Sequence, residues 1–155
     1  MKKLIEHPNP EYIGYTVLPM ALKRKWFDMI LSGAKTDEYR EIKSYWITRL
    51  TRNQHHHIQE GAFIQYALNA KTAIYKHIDA IQFTNGYDSK LPSFIIQCKG
   101  IEIGYAKNEW SDGYSKPVFV IHLGDIISVN NLRPNSAVNT INKTALERFK
   151  LWSGV

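Results

Sequence analysis

Residues 23–42 run Lys23-Arg24-Lys25-Trp26-Phe27-Asp28-Met29-Ile30-Leu31-Ser32-Gly33-Ala34-Lys35-Thr36-Asp37-Glu38-Tyr39-Arg40-Glu41-Ile42. Trp26, Phe27, Ile30 and Leu31 fall at helical spacing, so residues 23–32 predict an amphipathic helix. Gly33 stands just past its end, where a helix terminates on a residue that tolerates positive φ. Residues 35–42 then alternate and predict a strand. Side chains two apart in a strand share a face, which groups Glu38 with Arg40 and Ile42 and turns Asp37, Tyr39 and Glu41 the other way. Lys35 sits at the corner between helix and strand, where spacing leaves its direction open.

Upstream, residues 1–15 are polar, carry Pro8 and Pro10, and predict an extended arm. Residues 16–22 predict an edge strand, because Pro19 cannot donate to a ladder. Downstream, residues 44–50 predict a short helix, 51–61 a polar loop and 62–75 a second helical stretch. Residues 78–84 predict a strand, and Asn85-Gly86 a hairpin turn. A long strand follows over 94–103 with Gly100 as a bulge, then a loop over 107–116. Residues 118–123 predict a buried strand that turns at Gly124-Asp125 into 126–129. From Asn130 the composition shifts to Asn, Ser and Thr, with a terminal helix over 143–152. The expected organisation is an arm (1–15), a domain (16–130) and a partly helical C-terminal extension (131–155). One early helix followed by several strands argues for an α+β fold with a small, strongly curved mixed sheet or barrel.

The chain has 155 residues, 44% hydrophobic and 22% charged, which fits one ordered domain and excludes disorder along most of its length. A core of this size needs no disulfide or metal staple. Cys98 is the single cysteine, so no internal disulfide can form and a reducing compartment is expected. No apolar run approaches the ~18 residues of a membrane span. The basic start Met1-Lys2-Lys3 is interrupted by Glu6, His7, Pro8 and Asn9 before any apolar core develops, so the expectation is cytoplasmic. Twenty Lys and Arg against fourteen Asp and Glu give a net charge of +6. That balance favours an anionic partner such as nucleic acid or a phosphate-bearing ligand.

Gly33, Lys35, Glu38 and Arg40 fill the pattern Gly-x-Lys-x-x-Glu-x-Arg directly after an amphipathic helix, and in this the chain resembles the ASCH domain family, a branch of the PUA-like β-barrels. Phe83-Thr84-Asn85-Gly86-Tyr87, Lys99-Gly100-Ile101 and residues 118–126 look like later strands of the same group. The likeness spans about residues 16–129 and lapses over 52–76, which suggests a helical insertion there. The resemblance implies a PUA-like small mixed β-barrel with flanking helices and a cleft built on Lys35, Glu38 and Arg40. It implies binding of RNA or a modified nucleoside. It also implies an alternative, a hydrolase of the same family acting as an amidohydrolase or ribonuclease, with Lys35 and Glu38 as catalytic residues. The amidohydrolase branch uses a Lys-x-x-Thr arrangement, and here the threonine position holds Glu38. Asn85 and Tyr87 would border the cleft.

The residues carry a chemistry of their own. Lys23, Lys35, Arg40 and Lys43 crowd this region with Arg24, Lys25, Arg49 and Arg52, and Tyr39, Tyr45 and Trp46 interleave with them. Basic groups for the backbone and aromatic faces for bases are what single-stranded nucleic acid requires. A plain Glu38–Arg40 ion pair and a Trp46 buried in the core are the structural alternatives. Trp110 is either a stacking platform at the cleft mouth or a lid on the core. His55-His56-His57 lacks a second ligand cluster to complete a tetrahedral metal site, so no metal or other cofactor is expected. His122 lies in an apolar strand and is expected in the core, with Cys98 as packing. There is no phosphate-cradling Gly-rich loop, no Gly-x-Ser-x-Gly and no His-Glu-x-x-His. A protein partner is expected, if anywhere, at the C-terminal extension.

Overall fold

The computed structural model describes residues 15–86 and 91–130. The N-terminal arm up to residue 14, Tyr87 and the extension from residue 131 with its expected helix lie outside the described residues. Among the described residues, five strands and three α-helices follow one another in the order β1 (Val17–Ala21), α1 (Arg24–Leu31), β2 (Asp37–Glu41), α2 (Ser44–Leu50), α3 (Glu60–Ala70), β3 (Ala80–Thr84), β4 (Ser93–Gly104) and β5 (Val118–Asn130). Short 3₁₀ turns occupy Asn53–His55, Lys71–Ile74 and Asn108–Trp110. The strands form one mixed sheet in the order β1-β3-β4-β5-β2, with β1 parallel to β3 and antiparallel pairing of β3 with β4 and β2 with β5. The class is α+β. No helix among the described residues is long and apolar enough to cross a membrane.

The described residues divide into two compact units, one of residues 15–36, 78–86, 91–99 and 123–130, the other of 37–77 and 100–122. In the first, β1 is an outer strand, as Pro19 requires, and Leu22 N–H continues the chain onto Thr84 O at 2.8 Å. Phe27, Ile30 and Leu31 form the buried face of α1, the face their spacing predicts. Phe94 packs edge-on against Phe27 at 4.9 Å between centroids and tilted against Phe83 at 5.6 Å. Gly33 takes φ +86°, and the Lys35 N–H donates to Met29 O at 3.0 Å, so the glycine turns the chain back to close the helix end.

One expectation needs correcting in this unit. Gly124-Asp125 is not a turn, because β5 runs unbroken from Val118 to Asn130. The glycine is needed for close approach instead: a Cβ at Gly124 would collide with the Gln97 side chain. Asn85-Gly86 opens the turn between β3 and β4, which pair antiparallel, as the sequence predicts. The connection from β3 to β4 runs from 85 to 92, with Gly86 at φ +105° and Asn85 N–H bonded to Pro92 O at its base.

The second unit is organised around Phe119, which is fully buried. Phe63 of α3 meets it edge-on at 5.7 Å and Tyr75 at 6.3 Å. Ile47, Leu50, Ala67 and Ile74 are buried in the same unit. Residues 52–76 hold α3 and two of the 3₁₀ turns, and through Phe63, Ala67, Ile74 and Tyr75 they supply core. Glu60 begins α3 and holds the start of α2, its Oε1 accepting from the Ser44 N–H at 2.6 Å and the Ser44 hydroxyl at 2.9 Å. Those two bonds hold the Glu60 carboxyl below its ordinary range.

Candidate functional site

Strand β2 carries the centre of the motif. Leu123 N–H donates to Thr36 O, and the alternation of an antiparallel pair then gives Glu38 and Arg40 their backbone bonds to β5 and turns the Tyr39 N–H and C=O outward. Glu38 and Arg40 lie opposite Ile121 and Phe119, on a face that continues into apolar core. Glu38 is only 3% exposed. A carboxylate taken out of water needs a cation and donors. Arg40 Nη1 supplies the cation, 2.6 Å from Glu38 Oε2, while the Tyr39 N–H donates to Oε1 at 2.9 Å. The same Arg40 nitrogen donates to Tyr39 O at 2.8 Å. The ion pair that the spacing allows is therefore formed, and it also satisfies the outward backbone of an outer strand.

The Arg40 guanidinium stands 5.0 Å from the Trp46 ring centroid. Arg49 lies 5.7 Å from the same ring and 5.3 Å from Tyr45, because residues three and four apart on α2 are neighbours. Trp46 is half-buried between its roles as core and as platform, whereas Tyr45 is 61% exposed. Lys43 precedes α2 and pairs with Glu41 at 2.9 Å, and that hydrogen bond raises its pKa. The basic–aromatic interleaving expected from composition is thus a set of cation–π contacts.

The opposite face of β2 holds Tyr39 and Asp37. Tyr39 Oη accepts from the Lys107 N–H at 3.2 Å, and burial raises its phenol pKa. Lys107 also places its ammonium 4.3 Å over the Trp110 ring. Trp110 is half-buried with a cation of its own chain on it, so it resembles neither an open platform nor a full lid. His122 corrects an expectation: it is not core. It faces out beside Asp37, its cross-strand partner, with Nδ1 2.7 Å from Asp37 Oδ1 and Nε2 3.5 Å from Glu102 Oε2. Sequence gives no signal for this pairing, because Asp37 lies 85 residues away.

Lys23, Lys35 and Asn85 belong to the first unit. Lys23 is exposed at the start of α1, and Asn85 is half-buried at the base of the β3–β4 connection. Lys35 is 2% exposed, with its ammonium 4.2 Å over Trp26. Lys25 approaches the same ring at 4.4 Å. Each described tryptophan, Trp26, Trp46 and Trp110, therefore carries a basic side chain over its ring. Glu38, Tyr39, Arg40, Lys43 and Trp110 belong to the second unit.

The histidine run makes local bonds. His55 Nδ1 contacts Tyr66 Oη at 2.5 Å and His56 Nε2 contacts Thr51 O at 2.7 Å. Among the described residues no group of His, Cys, Asp and Glu could hold a metal ion. Comparison with known proteins returns no matching family model, no matching curated protein and no matching solved structure.

Proposed function

We propose that this protein binds RNA or a nucleoside-type anionic ligand through the β2–α2 face of its second unit. The observation that carries this is Arg40: its planar cation is fixed by Glu38 and Tyr39 O and lies against Trp46. A guanidinium held in one orientation beside an aromatic ring suits a phosphate or a base edge, since little freedom is lost on binding. Arg49 adds a second cation on the same ring, and the net charge of +6 supplies long-range attraction. In the first unit, Lys35 and Lys25 on Trp26 repeat the same chemistry. A PUA-like barrel of the ASCH type would account for the motif and for this class of ligand. A reducing, cytoplasmic setting would suit both.

Both Glu38 oxygens already accept hydrogen bonds, from Tyr39 N–H and from Arg40. The hydrolase alternative needs Glu38 to take a proton from water with Lys35 beside the reacting group, so binding is the reading we carry forward. Titration of short single-stranded RNA against the wild type and Arg40→Lys tests it. Lysine keeps the charge but loses the planar fork, so weaker binding by the variant supports the reading. No binding by the wild type at low salt removes it.

A further inference from the structure

Tyr45 and Trp46 follow Ser44 in the first turn of α2, and their rings meet edge-on at 4.9 Å with planes 87° apart. Adjacent helical residues point about 100° apart, so the two rings present separate surfaces. Trp46 is the ring that organises cations, with Arg40 reaching it from β2 and Arg49 from the next turn of α2. Tyr45 is the exposed ring of the pair, backed by Arg49. The face therefore holds two cation–aromatic stations, Arg40 with Trp46 and Arg49 with Tyr45. A free nucleoside or a mononucleotide has a single base, so it can occupy only one of them. A strand of linked nucleotides offers a base and a phosphate to each in turn.

We infer that the ligand of this face is a single-stranded oligonucleotide rather than a free nucleoside, with one base stacked on Tyr45 and an adjoining phosphate on Arg49. This rests on the nucleic-acid reading above and adds a residue pair to it. Stacking on an exposed aromatic tolerates any base, so the strand is held by its backbone and base planes with little sequence preference.

The test is fluorescence anisotropy with fluorescein-labelled hexa-adenylate RNA, with adenosine 5′-monophosphate as competitor. The proteins are the wild type, Tyr45→Ala, Tyr45→Phe and Arg49→Gln, each checked by circular dichroism. The inference expects the hexamer to bind at least about tenfold tighter than the mononucleotide. Tyr45→Ala should collapse that preference, Tyr45→Phe should keep it, and Arg49→Gln should reduce the salt slope of hexamer binding by about one. Equal affinity for the two probes, or a Tyr45→Ala protein that matches the wild type, overturns the inference and leaves the nucleic-acid reading standing. Binding of neither probe overturns that reading, and the inference falls with it.

Discussion

Arg40 Nη1 lies 2.6 Å from Glu38 Oε2 on the core-facing side of β2, with the two side chains 14% and 4% exposed. The pair serves the strand first, because the buried Glu38 carboxylate has little water to fall back on, while Arg40 keeps part of its surface exposed. It also holds the Arg40 plane against Trp46, so the groups that stabilise the fold are those that orient the proposed ligand contact.

Removing the cation alone should therefore be costly. Arg40→Ala leaves the Glu38 carboxylate buried without its partner and should cost about 3 kcal/mol. The double variant Glu38→Gln with Arg40→Ala should be more stable than Arg40→Ala. Urea denaturation of the three proteins measures both differences. Equal stability of Arg40→Ala and the wild type would show the pair to be solvated and dispensable.

Phe63 makes a second test, of whether residues 52–76 belong to the core. It is fully buried against Phe119, so Phe63→Ala should cost about 3–5 kcal/mol. A thermal or denaturant transition little changed from the wild type would mean that this segment packs on as an appendage.

Tyr75 gives a pH dependence with a definite sign. Burial, with a smaller contribution from Glu102, pushes its phenol up to about 12. An unfolded tyrosine ionises near its ordinary value of about 10, so between those two limits the folded state holds the proton and the unfolded state loses it. Stability should fall as pH rises through this window, and Tyr75→Phe should lessen the fall. Ultraviolet absorbance of the phenolate, compared between wild type and variant, locates the titration directly.

The helix–glycine–strand unit over residues 23–42 was legible because its signals are local. Apolar spacing, a positive-φ glycine and alternation each act within a few residues. Gly124 was misleading for the opposite reason: its smallness answers to Gln97 on another strand, and a sequence presents the same residue as a turn. His122 looks like core from its apolar neighbours, yet Asp37 and Glu102 draw it outward from two other strands. In the site, composition marked the basic and aromatic cluster but not its pairing. That Arg40 and Arg49 share Trp46, and that Lys35 lies sealed over Trp26, depends on rotamers and packing that spacing does not encode.

The most direct measurement of the central claim is the salt dependence of RNA association for wild type and Arg40→Lys, followed from about 50 to 200 mM salt. Electrostatic capture with Arg40 as an oriented contact predicts an association constant that falls steeply with salt for both proteins. It also predicts an affinity for the variant lower by about tenfold at every salt concentration, with a similar slope, because the charge is kept and the fork is lost. A wild-type association that is flat in salt, or a variant that overlays the wild type throughout, contradicts the account.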